Sequence, residues 1–364
     1  MRLFGFLRKY VPIFTWVALG ILVVCGICYA IAINNISAAD AMNDTVGLAL
    51  RFFLAKITGW LPFSLFELLL ICALPLLVIL IVWLVRTRGG AVARVRSILA
   101  IISVIALILS SYVFTLGVGY RTTTLSNKIG VEDARNIERD ELFAVTNFLV
   151  AHVNALADDL TYKDGVTVMP YDFREMCRRL CDAYDTVAEK YNNLESFDTT
   201  PKPVLFSTVM SDSGIMGIYS FFTGESNVNV EYPDYTLPFT TAHEMAHQRG
   251  IARENEANFV AFLVCISSDD AYIRYSGYLS MLEYFLSAAY STDKAAYPDL
   301  FATISAVAID DIMASNAITE AHKDSLIRKI NDMLNDNYLK FNGTEGIISY
   351  GYVVRLTVGY YRES

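Results

Sequence analysis

The sequence predicts a mainly α protein, with three N-terminal transmembrane helices followed by an extracytoplasmic α+β domain that carries a small antiparallel sheet. Three observations lead there. Hydrophobic residues make up 54% of the 364, and they concentrate in three early runs of about 20 residues, the length a helix needs to cross a bilayer. After Tyr120 the apolar positions recur at three- and four-residue steps, the period of amphipathic helices. Between about 203 and 232 that period gives way to short alternating pieces of strand type.

The first run, residues 11–33, is long for a signal peptide and has no small-residue cleavage site close behind it, so it reads as a span. Residues 46–60 ("VGLALRFFLAKITGW") mix apolar and basic residues like a helix lying on the outer surface of the membrane. The second span, 65–85, opens with Ser64 and Glu67 at capping-box spacing. Glu67 is therefore assigned to backbone donors near the interface, and Pro75 is expected to kink the helix. The third span covers 97–119. Arg2, Arg8 and Lys9 precede the first span, and Arg86, Arg88, Arg94 and Arg96 lie between the second and third. The positive-inside rule places both segments in the cytoplasm, which leaves everything after about residue 120 outside.

Two parts follow: a membrane anchor, 1–119, and an extracytoplasmic domain, 120–364. Charge divides at the same point. The anchor carries nine Lys and Arg against three Asp and Glu, and the rest of the chain 20 against 35. A domain so acidic is repelled by nucleic acid, and that class of function is excluded. The partners expected are the lipid bilayer and a peptide or protein. Cys25, Cys28 and Cys72 fall inside spans as apolar filler. Cys177 and Cys181 share one face of a helix and are read as buried thiols, so no disulfide framework emerges.

In the outer domain, helices are expected over about 131–160 and 171–194. Strands are expected at 203–209, 217–222 and 225–232, with Thr223 and Gly224 turning the last two into a hairpin. Helices resume near Thr241, with breaks near Gly277, Pro298 and Asn342. The run 257–266 is too short to span and reads as a buried helix.

The chemistry concentrates in "TAHEMAHQRGIARENEAN". His243 and His247 stand four apart, so on a helix both imidazoles reach one metal ion from the same face. Glu244 follows the first and can act on a nearby water. Zinc lowers the pKa of its water to about 7, and a carboxylate beside it can take the proton. Against this stands a buried helix with two satisfied histidines, but only four histidines occur in the chain, and a hairpin and a helix-ending Gly250 flank the motif. The remaining donor can come from Glu254 or Glu256, which a helix places about 200° apart.

The segment resembles gluzincin-type zinc metallopeptidases, in which a second helix brings a glutamate in the pattern Glu-x-x-(Ala/Ser)-(Asp/Asn). Glu254 to Asn258 fit that pattern. The resemblance implies a zincin-like domain, Zn2+ held by His243, His247 and Glu254, Glu244 as catalytic base, and Asn258 orienting a histidine. Two departures stand out. Only six residues separate His247 from Glu254, and the position where metzincins place a histidine is Arg253. Over most of its length the chain also resembles a bacterial membrane-protein family catalogued as domain of unknown function 3810, through "PFSLFE", "GESNVNVEYPDYTLPFTTAHEMAHQRGIARENEANFVAFLVC" and "YSGYLSMLEY".

Tyr278, Arg274 and Tyr350 are candidates for stabilising an oxyanion, and "SNVNVEY" for pairing with an extended peptide. The expectation is a membrane-anchored zinc metallopeptidase acting outside the cytoplasmic membrane. The alternative is a catalytically silent zincin-like sensor or scaffold. Intramembrane proteolysis fits poorly, because the HEMAH helix belongs to no span.

Overall fold

The computed structural model describes residues 10–86 and 90–363, with all their side chains except those of Ser349 and Tyr350. Arg2, Arg8, Lys9 and Arg88, used above for orientation, lie outside the described residues. Among the described residues, three helices are long and apolar enough to cross a membrane: α1 (Ile13–Asn34), α3 (Leu65–Arg86) and α4 (Gly90–Thr115). Between the first two lies α2 (Leu48–Gly59). α1 and α4 pack together through small residues, with Ala18, Ala32 and Ala106 buried and the hydroxyls of Thr15 and Ser103 3.0 Å apart. Small side chains let the two backbones approach, and a hydrogen bond between helices favours the pair in a medium without water. α3 stands apart from them, and Glu67 in its first turn is its only buried residue.

The third span begins seven residues earlier than expected, because the helix continues through Arg94 and Arg96, and it ends at Thr115. A 3-10 segment, Gly117–Arg121, follows. A Cβ on Gly119 would lie 2.8 Å from that of Ala252, so the glycine lets the chain just after this helix touch the rest of the protein directly.

That domain is mainly helical: α5 (Arg139–Ala157), α6 (Phe173–Lys190), α7 (Ser207–Asp212), α8 (Thr236–Gln248), α9 (Glu254–Ile266), α10 (Ala271–Thr292), α11 (Ala306–Ala321), α12 (Leu326–Phe341) and α13 (Val353–Glu363). At its centre is α9, where every residue from Phe259 to Cys265 is at most 2% exposed. α6, α8, α10 and α13 surround it, which explains why this helix is apolar on all sides rather than along one stripe. Gly277 does not break a helix as expected. α10 runs through it, and a Cβ there would come within 2.4 Å of the Cβ of Cys265. The glycine permits a close crossing of α10 over α9. The six cysteines are free, with Cys177 and Cys181 buried.

Two small sheets complete the domain. β1 (Tyr162–Lys163) and β2 (Val166–Thr167) form a hairpin. Its Asp164 and Gly165 both have positive φ, 55° and 90°, as a two-residue type I′ turn requires. The "DG" pair advertises this turn, and the sequence reading passed over it. The second sheet has the order β3-β5-β4. β4 (Gly217–Ser220) pairs antiparallel with β5 (Glu225–Val228), across the expected hairpin. β3 (Lys202–Pro203) pairs parallel with β5, so this sheet is mixed.

The strand expected over 203–209 is mostly absent. After Pro203 the chain leaves the sheet and enters α7, because the amides of Leu205 and Phe206 bond to the Glu67 carboxylate at 3.1 and 2.7 Å instead of to a neighbouring strand. β5 is the interior strand. It therefore cannot accept an added peptide strand, as "SNVNVEY" suggested; β3 and β4 are the outer ones.

The candidate metal centre

Helix α8 delivers the two histidines, and its ending fixes one of them. Gly250, at φ 97°, follows the last turn. The Ile251 amide bonds to the Ala246 carbonyl at 3.1 Å and the Gly250 amide to the His247 carbonyl at 3.0 Å. This pair is a Schellman closure, which needs a left-handed residue and so favours glycine. The reversal carries the Ile251 carbonyl back to Nδ1 of His247, 2.7 Å away. A carbonyl only accepts, so Nδ1 of His247 carries a proton, and Nε2 is the nitrogen left to meet a metal ion. Three residues later α9 begins at Glu254, whose carboxylate points back at α8.

Nε2 of His243 and Nε2 of His247 lie 3.0 Å apart, and Oε2 of Glu254 is 3.2 and 3.4 Å from them. Donors about 2.0–2.2 Å from a tetrahedral zinc ion stand roughly 3.3–3.6 Å from one another. Among the described residues this is the one group of three His, Cys, Asp or Glu donors that could hold a metal ion. Two imidazole nitrogens and a carboxylate oxygen suit zinc and other borderline divalent ions. The side chains are 9–12% exposed, so the attraction for a cation is little screened.

The electrostatics agree in sign. Burial lowers the proton affinity of His247, but Glu254 outweighs it and raises the pKa to about 9. Burial pushes the Glu254 carboxyl up, and the two histidines more than reverse this, holding it well below the usual carboxylate range. The centre of the cluster thus calls for positive charge.

Glu244 lies beside this triangle and is 4% exposed. Burial raises its pKa, with His243 and His247 opposing. It faces β4 across a gap that only glycine leaves open. A Cβ on Gly217 would sit 2.5 Å from Oε1 of Glu244. The sheet is tied to the same helix through Ser226, whose hydroxyl donates to the Glu244 carbonyl at 3.0 Å.

Glu256 is turned away from the cluster. It accepts from the Leu125 amide at 2.9 Å and pairs with Arg253 at 3.2 Å. Arg253 in turn donates to the carbonyls of Tyr120 and Thr122. Asn258 donates to the Tyr284 hydroxyl at 3.0 Å rather than to a histidine, and Nδ1 of His243 is buried without a partner. Tyr278 stacks on His152, and Arg274 donates to the Ser268 carbonyl; the side chain of Tyr350 lies outside the described residues. Tyr284, at the end of "YSGYLSMLEY", feels the charge of Glu254 and escaped the sequence reading, as one tyrosine among 22.

The support beneath the site comes from the N-terminal third of the chain, among the three long apolar helices. Arg51 of α2 is fully buried. Its guanidinium donates to the Asn43 side chain and carbonyl and to the Phe114 carbonyl at the end of α4. A Cβ on Gly250 would come within 2.4 Å of Nη2 of Arg51. The arginine therefore fills the space under the α8–α9 reversal. A second junction joins α3 to the sheet. Glu225 of β5 accepts from the amides of Leu65 and Phe66 at 3.0 and 2.9 Å, and Ser64 donates to Asn227 at 2.6 Å. A carboxylate at a helix N-terminus satisfies free amides and meets the positive end of the helix dipole. Ser64 also caps the Glu67 amide at 3.0 Å, but Glu67 itself serves Leu205 and Phe206. Only half of the expected capping box forms.

Fold and site together define a class: a mainly helical protein with three helices of membrane-spanning length and a buried His-His-Glu cluster. The chain belongs to the family DUF3810, described as a protein of unknown function, whose model matches residues 46–358. No curated protein and no solved structure matches it.

Proposed function

We propose that this protein is a membrane-anchored zinc-dependent metallopeptidase, hydrolysing peptide bonds outside the cytoplasmic membrane. The observation that carries the reading is the convergence of three donor atoms within 3.4 Å, with Glu244 buried beside them and taking no part in the triangle. A purely structural site has no use for that acid. His243, His247 and Glu254 would hold the ion. When bound, zinc supplies Lewis acidity toward water and a substrate carbonyl.

The rest falls to the chain. Glu244 removes a proton from the attacking water as its oxygen adds to the carbonyl carbon. It returns that proton to the departing amine as the C–N bond breaks, so atoms and charge balance. Gly217 keeps the β4 backbone close to Glu244. The outer edge of β4 is where an extended peptide would lie, hydrogen-bonded as an added strand. The test is Glu244→Gln in the full chain in detergent, assayed for metal and for cleavage of a peptide library. We expect metal content unchanged and cleavage lost by at least about a hundredfold. Cleavage that persists in the metal-loaded variant would sink the mechanism.

One observation favours a second reading, a zinc-stabilised sensor or scaffold. The spans reach the site through Arg51 under Gly250 and through Glu225 at the start of α3, contacts that would pass a signal between membrane and cluster. Closure of the fourth coordination position by protein, seen spectroscopically in the metal-loaded chain, would favour this reading over the enzyme.

A further inference from the structure

Helix α12 is folded inside out. The residues it turns toward the domain are mostly polar: Arg328, Asn331, Asn335 and Asp336, with Tyr338 and Leu339. The large apolar residues it exposes are Leu326, Ile327, Ile330, Met333, Leu334 and Phe341, with Asn337 the one polar residue among them and with Leu326 71% and Phe341 70% exposed. At 100° per residue these six fall within about a third of the helix circumference. A surface helix in water does the reverse, and an outward apolar stripe of this length marks an interaction surface.

The ends of α12 say what covers that stripe. At its C-terminus, Asn342 accepts from the Tyr112 hydroxyl at 2.7 Å and lies 3.4 Å from that of Tyr29. Tyr112 is in the last turn of α4, and Tyr29 is five residues before the end of α1. Tyr338 packs its ring against Tyr112 as well. At its other end, Asn331 donates to the Ser213 carbonyl at 3.0 Å. Ser213 caps α7, and the chain leading into α7 is held by Glu67 in the first turn of α3. A helix about 24 Å long thus runs from the ends of α1 and α4 to the far end of α7, whose near end is held at the start of α3.

α2, the segment between the first two spans, shows the same inversion independently. It buries Arg51, Ala55 and Thr58 and exposes Phe53 and Ile57, and Trp60 just after it is exposed as well.

We propose that α12 is an interfacial helix that lies in the plane of the bilayer, with its Leu326–Phe341 stripe sunk among lipid headgroups and upper acyl chains. Lys329 and Lys340 flank the stripe, placed to reach the headgroups while their stems lie along it. The domain then rests on the membrane through α12 and α2 as well as being tethered by spans. Because Arg328 packs against Gly214, three residues before β4, the helix at the lipid touches the chain just ahead of the strand that faces Glu244.

The test uses the full chain in phosphatidylcholine and phosphatidylglycerol nanodiscs, with Trp16, Trp60 and Trp83 replaced by Phe. Single tryptophans are introduced as Met333→Trp and Ile330→Trp on the stripe and Asp332→Trp off it. Two reporters on the stripe guard against one poorly folded variant. Both should show blue-shifted emission and about twofold or greater quenching by lipids brominated near the headgroup, with resistance to aqueous iodide; Asp332→Trp should show the opposite. Iodide access to Met333→Trp and Ile330→Trp equal to that of Asp332→Trp would overturn the proposal. So would shielding of both from bromine and iodide alike, which would mean that protein, such as a second copy, covers the stripe.

Discussion

The Nδ1 proton of His247 is held by the carbonyl of Ile251 at 2.7 Å, so the tautomer of a candidate ligand is set by the turn that ends its own helix. That turn depends on Gly250, which combines φ 97° with contact to a buried arginine. Gly250→Ala forces an L side chain into a left-handed conformation and against the Arg51 guanidinium. We expect a loss of stability of roughly 1–3 kcal/mol and weaker metal binding, read by thermal unfolding and by zinc titration. Unchanged zinc affinity in Gly250→Ala would mean that the reversal does not position His247.

The two glutamates of "RENEAN" should behave differently. Glu254→Gln is expected to lower zinc content far below one ion per chain, as is His243→Ala. Glu256→Gln should keep its zinc and lose stability by about 1–3 kcal/mol, since it leaves Arg253 without its carboxylate and weakens the bond to the Leu125 amide. The measurement is metal analysis beside thermal unfolding. It should be made on the full chain, because Arg51 and Gly119 support the site from the N-terminal third. Zinc kept in Glu254→Gln and lost in Glu256→Gln would reverse the assignment.

Glu225→Ala removes the acceptor for two amides at the start of α3. The expected cost is about 1–2 kcal/mol, with faster hydrogen exchange at Leu65 and Phe66 and little change elsewhere in the spans. Glu67→Ala should act at Leu205 and Phe206 instead. Exchange at the two junctions that responds identically to either substitution would contradict the division of roles.

Glu283 is expected to give stability a pH dependence of its own. Burial raises its carboxyl to about 7, with the hydrogen bond from Tyr235 only partly opposing. A folded pKa above the unfolded value of about 4.3 favours the protonated folded state. The stabilisation is therefore complete below about pH 4 and is lost as pH rises through about 7, amounting to about 4 kcal/mol at most. Melting temperatures of wild type and Glu283→Gln should diverge between pH 5 and 8, the wild type falling more steeply. Parallel curves would show that Glu283 does not titrate in this range.

The sequence by itself determined what depends on local spacing. Run length and composition placed three apolar helices within a few residues, since spanning requires about 20 apolar positions wherever they fold. The four-residue step put His243 and His247 on one face before any tertiary contact was known. Local pattern stopped short wherever a partner lies far away in the chain. Nothing near Leu205 shows that Glu67 will take its amide, so the strand expected at 203–209 gave way to a short helix.

Nothing in "RENEAN" shows that Leu125 will claim Glu256 and leave Glu254 to face the histidines; packing of residues more than a hundred positions apart made that choice. α12 shows the limit most clearly. Its period fixes which residues share a face, but the face that meets protein and the face that stays outside are decided only when the helix is docked between the ends of the spans. Periodicity is a property of one helix, and burial is a property of its surroundings.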